Sequence, residues 1–129
     1  EKVYNYTMEN MTYDQNLALH VQSVSGYLPV MDDICNNKTG ICFDYASFMT
    51  AMLRLQNIPT KLVVGWSGDI YHAWISVYME ETGWVDGIIQ FNGNEWKLMD
   101  PTFADNANQE TWIMEYIGNG GNYSEKYVY

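Results

Sequence analysis

Three residues of this chain have side chains suited to covalent chemistry, and each stands where a structural element should begin or end. Cys42 follows Gly40 and opens a helical pattern. His72 stands near the start of an alternating run, and Asp100 precedes Pro101 at the close of another. A thiolate is a nucleophile, and an imidazole can take the thiol proton and return one to a leaving group. A carboxylate on the far ring nitrogen fixes the imidazole's tautomer and orientation. A cysteine at a helix N-terminus also meets the positive end of the helix dipole, which favours the thiolate. Singly, each residue has an ordinary reading: a small buried hydrophobe, a strand histidine, a turn aspartate. Their joint order sets them apart from that background.

Other candidates are weaker. Trp74 shares the expected strand face of His72 and is the candidate to line a substrate groove, although an indole there serves a core equally well. Cys35, Cys42, His20 and His72 lack the short Cys-x-x-Cys or His-x-x-x-His pairs of a zinc site. No metal and no cofactor is expected. A Cys35–Cys42 disulfide is compatible with the spacing but would consume the nucleophile. Asp44, one turn into the helix, reads as a complement to its dipole.

The elements that must position these residues follow from pattern. A helix is predicted from Cys42 to Gln56, with Ala46, Met49, Met52 and Leu53 on its apolar stripe. Asn57 suits a left-handed terminator, and Pro59 prevents continuation. Thr60 to Trp66 reads as a buried strand. Tyr71 to Met79 alternates, with Ala73, Ile75, Val77 and Met79 on one face and His72, Trp74, Ser76 and Tyr78 on the other. Trp84 to Phe91 is a third strand with a bulge at Asp86-Gly87. Asn92-Gly93 is a hairpin signal, leading to a fourth strand at Glu95 to Met99. Before the helix, Glu1 to Thr12 is a short helix facing Val3, Tyr6 and Met11 inward, and Tyr13 to Leu28 is ambiguous between helix and extended chain. Pro29 to Cys35 is a short helix with Pro29 in its first turn, and Asn36 to Gly40 is a turn. Near the end, Thr111 to Ile117 suggests a helical turn and Tyr127 to Tyr129 an edge strand. The expected fold is α+β, a central helix packed on an antiparallel sheet of about four strands, with His72 and Asp100 side by side.

The 129 residues are 47% hydrophobic and 16% aromatic, enough for one folded domain spanning residues 1–129. The formal net charge of -10, with only 6 Lys and Arg, argues against nucleic acid as a partner. No apolar run is long enough to span a bilayer. The sequence from Glu1 shows no signal-peptide pattern, and a mature or trimmed form is the expectation.

Four motifs carry a resemblance. T-G-I-C-F-D-Y-A around Cys42, R-L-Q-N-I-P from Arg54, Y-H-A-W-I-S-V-Y around His72 and W-K-L-M-D-P-T-F around Asp100 resemble the bacterial transglutaminase-like superfamily. That group shares a core with animal transglutaminases, peptide N-glycanases and, more distantly, papain-like cysteine peptidases. The resemblance covers about Gly40 to Phe103. It implies a cysteine-protease-like fold with Cys42 as nucleophile, His72 as general acid and base, and Asp100 as orienter. Asn57 departs from the family, which more often has Gly there, but Asn also tolerates the left-handed turn. The implied activity is thiol-dependent acyl transfer on amide bonds of a protein or peptide substrate. Resolution by water would make a peptidase or deamidase, and resolution by an amine a transglutaminase. The resemblance also implies an extracellular or cell-surface location. The alternative is a non-catalytic protein- or carbohydrate-binding module that retains the fold.

Overall fold

In the computed structural model, which describes residues 2–67, 70–80, 83–85, 89–91, 96–98 and 123–129, the helix beginning at Cys42 is packed from two sides. This helix, α4 (Cys42–Leu55), follows α1 (Lys2–Asn10), β1 (Thr12–Tyr13), α2 (Gln15–Gln22), α3 (Met31–Asn37) and β2 (Thr39–Gly40). After it come β3 (Thr60–Ser67), β4 (Ile70–Met79), β5 (Gly83–Val85), β6 (Ile89–Phe91), β7 (Trp96–Leu98) and β8 (Tyr123–Val128).

One stripe of α4, formed by Ala46, Met49 and Leu53, packs on Val64 of β3, on Ala73, Ile75 and Val77 of β4, and on Val3 and Tyr4 of α1. A second stripe, Tyr45 and Phe48, meets Met11 and Ile34 of α3, and Met52 touches both clusters. Each large apolar side chain so buried contributes about 1.5–3 kcal/mol. That burial on two sides, more than helix propensity, holds α4 in place.

The helix stops as its residues require. Asn57 takes the left-handed conformation at φ 60°. Arg54, in the last turn, donates from Nε and Nη2 to the Thr60 carbonyl at 3.0 and 2.8 Å, and from Nη2 to the Tyr129 carbonyl at 3.0 Å. Its positive charge also suits the negative end of the helix dipole.

The main sheet has four antiparallel strands in the order β5-β4-β3-β8. Its α4 face carries Leu62, Val64, Ala73, Ile75 and Val77. On the other face, Val63, Trp74 and Ser76 are buried as well. Gly65 is required by close approach. A Cβ there would collide with the Ser124 carbonyl of β8 and lie 2.9 Å from Trp74 Cη2.

Several expectations need correction. The fourth strand of the main sheet is β8, not Glu95 to Met99. Residues 96–98 form β7, which pairs with β6 in a separate antiparallel two-stranded sheet. The expected third strand, Trp84 to Phe91, is divided into β5 and β6, and these belong to different sheets. Alternation reveals a strand but not its partner, and the free edge of β3 is taken by a segment distant in sequence. On α1 the inward residues are Val3, Tyr4 and Thr7, with Met11 just past its end also buried, whereas Tyr6 lies off this stripe and is exposed. The ambiguous segment contains α2, whose N-cap Asp14 accepts from the Leu17 N–H at 2.9 Å. Pro29 precedes the N-cap Val30 of α3, and that helix runs on to Asn37 before Lys38 turns left-handed at φ 56°. The Asp86-Gly87 bulge, the Asn92-Gly93 turn and the Thr111 to Ile117 helix fall outside the described residues.

Candidate functional site

Cys42 is the first residue of α4, and its side chain is half-buried. It packs against the cluster that contains Val64 and Ala73. Those two residues are register partners, and the next pair along the strands is Gly65 and His72. The backbone of His72 therefore sits on the strand that α4 packs against, one residue from a side chain in the cluster Cys42 touches. Asp100 falls outside the described residues. Cys35 and Cys42 are both thiols rather than a disulfide, and Cys35 is exposed on α3.

Trp74 does not line an open groove. It is 1% exposed and is among the largest fully buried side chains of the described residues. The reason is visible in the register: Trp74 lies opposite Val63, and its ring end fills the space left by the missing side chain of Gly65. Its bulk serves the core.

The head of α4 holds a feature the sequence did not announce. Ile41 occupies the N-cap in an extended conformation, with no side-chain oxygen to accept from the first turn. Asp44, two residues beyond Cys42, folds back instead. Its Oδ2 accepts from the Ile41 N–H at 2.8 Å. This is one half of a capping box, the half supplied by the acidic residue. Gly40 makes room for it, because a Cβ there would overlap Asp44 Cβ and lie 2.7 Å from Oδ2. The same carboxylate accepts from the hydroxyl of Tyr27, at 2.7 Å to Oδ1 and 2.9 Å to Oδ2. Tyr27 belongs to the non-helical segment between α2 and α3.

A charged group this deep is costly unless bonded. Asp44 is 1% exposed. Burial pushes its carboxyl above the ordinary value, and the negative charge of Asp14 pushes the same way. The bonds from Ile41 and Tyr27 oppose that rise by stabilising the anion. The Tyr27 phenol is held well above its usual range, first by burial, then by its bond to Asp44, then by the charges of Asp44, Asp14 and Cys42. The phenol is thus bonded to one acid and within the field of the thiol.

The β1–β2 bridge joins the approach to α2 to the approach to α4. Thr12 and Tyr13 pair in parallel with Thr39 and Gly40, and the Asp14 N–H donates to the Gly40 carbonyl at 2.9 Å. This accounts for the nearness of Asp14 to the head of α4. Asp44 was legible as an acid in a helical first turn, but not as a buried one. Tyr27 carried no signal, since nothing local relates it to a residue 17 positions away. No group of three or more His, Cys, Asp or Glu among the described residues is arranged to hold a metal ion.

Comparison with known proteins gives a consistent result. The family model of the transglutaminase-like superfamily matches residues 1–87. The chain is 28% identical over 100 residues to the uncharacterized protein YebA of Bacillus subtilis strain 168, a match covering 64% of this chain and 12% of that protein. The chain therefore spans only a small part of that relative's length. Among solved structures, a proposed cysteine protease from Cytophaga hutchinsonii superposes with a TM-score of 0.57 at 14% identity, covering 99% of this chain and 34% of that one. A TGase superposes with a TM-score of 0.54 at 20% identity, covering 77% of this chain and 24% of that one. At these identities the two structures establish the shared cysteine-protease-like fold.

Proposed function

Because the chain belongs to the transglutaminase-like superfamily, we propose that it performs thiol-dependent acyl transfer on an amide of a protein or peptide, with Cys42 as nucleophile. The observation that carries this reading is the seat of Cys42. It is the first residue of α4, and it packs against the cluster that includes Val64 and Ala73, a register pair next to Gly65 and His72. In this reading His72 is the general base and then the general acid, and Asp100 orients it.

The reaction balances simply. The Cys42 thiolate attacks the amide carbonyl, and the resulting oxyanion is held by backbone N–H groups at the head of α4, that of Cys42 among them. The C–N bond breaks as the His72 imidazolium gives its proton to the departing amine. The thioester is then cleaved by water, yielding acid, or by a second amine, yielding a new amide. Either route returns the thiol.

The test is incubation with a Gln-containing protein and a labelled primary amine, read by intact mass. Amine incorporation identifies a transglutaminase, conversion of Gln to Glu a deamidase, and chain cleavage a peptidase. Cys42→Ala and His72→Ala should each abolish the product. Product formation that survives Cys42→Ala overturns the assignment.

A further inference from the structure

We infer that residues 15–30, which comprise α2 and the irregular segment after it, form a hinged strap that opens as a unit while the rest of the chain stays folded, and that the Tyr27 hydroxyl on the Asp44 carboxylate is its latch. This device is independent of any reaction at Cys42. Both ends of the strap are rooted in one place. Met11 before it and Ile34 after it are buried in the same cluster, against Tyr45 and Phe48 of α4. The pairing of β1 with β2, and the bond from the Asp14 N–H to the Gly40 carbonyl, fix its start a second time. A surface segment whose two ends lie close together can lift without moving the core it is rooted in.

Between those anchors packing is slight. From Thr12 to Asp33 no residue is buried. The inner positions of α2, Leu17, Ala18 and Val21, are only half-buried. Among the described residues, no side chain of 15–30 belongs to either core cluster. Leu19, Val24, Leu28 and Val30 are exposed with the strap in place. Opening therefore returns little apolar surface to water, and the hydrophobic effect does little to hold the strap down.

The hydrogen bonds leave the same task to one side chain. The Leu17 N–H bonds to Asp14 at the root of α2, and the Ser23 hydroxyl bonds back to the His20 carbonyl, so neither reaches the body of the molecule. Gly26 turns the chain at φ 81°, with open space where a Cβ would stand. Tyr27, next to it, is half-buried between exposed neighbours. Its hydroxyl crosses to Asp44, at 2.7 Å to Oδ1 and 2.9 Å to Oδ2. The acceptor is itself fixed, because Oδ2 also accepts from the Ile41 N–H at 2.8 Å. A hydrogen bond to a carboxylate is stronger than one between neutral groups. One strong bond on a fixed acceptor, with slight packing around it, is the construction of a latch.

The experiment is limited proteolysis of the full 129-residue chain by a protease of broad specificity, with the cut sites read by mass. Under native conditions such cleavage follows the population of the open form. Tyr27→Phe keeps the ring and removes only the latch bond. Cleavage within residues 15–30 should rise roughly tenfold to hundredfold, the range expected for a hydrogen bond to a charged acceptor. Ile75→Val, in the core under α4, weakens the closed and open forms alike. It should speed cleavage in α4 and leave cleavage in the strap unchanged. An unchanged strap rate in Tyr27→Phe overturns the proposal. So does a strap rate that rises with that of α4 in Ile75→Val, since the strap would then open only when the whole chain unfolds. A measurement on the unaltered chain decides the matter if Tyr27→Phe does not fold. Strap cleavage should depend less steeply on added urea than cleavage in α4, because opening exposes less surface than unfolding does. Equal urea slopes overturn the proposal.

Discussion

The two ends of α4 are fastened by the same device in opposite settings. At each end a charged side chain of the terminal turn reaches back to backbone groups of the adjoining chain: Asp44 to the Ile41 N–H at the head, Arg54 to the Thr60 and Tyr129 carbonyls at the tail. At the tail the charged group is exposed, so water can replace what the protein supplies. At the head it is buried, needs a second donor from Tyr27, and fits only because residue 40 has no side chain. Cys42, the proposed nucleophile, sits at the end where substitution is costly. A site that must hold one geometry is better placed on the fastening that water cannot substitute.

The sharpest way to break the comparison is Gly40→Ala. The added methyl overlaps Asp44 and displaces the carboxylate from both its donors, at a cost of about 3–4 kcal/mol. Denaturant unfolding would show a lower midpoint. Asp44→Ala leaves Ile41 and Tyr27 donors without this acceptor but adds no strain, and should cost about 2–3 kcal/mol by the same measurement. Arg54→Ala should cost about 1 kcal/mol, because the guanidinium is exposed, its bond to Tyr129 lies at the surface and only its bonds to Thr60 are part-buried. Equal losses for Asp44→Ala and Arg54→Ala would erase the distinction between head and tail.

The smallest expected effect is one of pH. The folded chain raises the Asp44 carboxyl above its unfolded value of 3.8. It therefore binds more protons than the unfolded chain between those two values, and stability from this group falls as pH rises through that window. Its contribution is full below the unfolded value and is lost above the folded one. Thermal unfolding of the chain compared with Asp44→Asn, from pH 3 upward, should show the Asp44 protein losing ground as pH rises. The opposite slope would mean that the donors outweigh burial.

Much of the fold was legible because its signals are local. The start of α4 at Cys42, the left-handed Asn57, and strands β3 and β4 all follow from periodicity and stop residues, and the structure moves their ends by only a few residues. Membership of β8 in the main sheet was not legible. Tyr127 to Tyr129 read as an edge strand, but nothing in its pattern names β3 as its partner. For the same reason Trp74 could be assigned to a strand face but not to a buried one: its burial depends on Gly65 of the neighbouring strand. At the site, the position of Cys42 was readable from the helix it opens. The burial of Asp44 was not, because it rests on a phenol from a segment with no regular structure.

Strand β8 also has a consequence for the time course of folding. Ser67 pairs with Ile70, three positions on, so α4, β3 and β4 can assemble from neighbouring chain. The Arg54–Tyr129 bond spans 75 positions, and closing so long a loop costs on the order of 4 kcal/mol in chain entropy. The half of the sheet that carries His72 should therefore dock on α4 before β8 arrives. In pulse-labelled hydrogen exchange, the amides of Leu62 and Tyr129, which bond each other's carbonyls at 3.0 and 2.8 Å, should be protected later than the β4 amides facing β3. The seat of Cys42 would then be built early in folding, and the strand that completes the sheet would be added last.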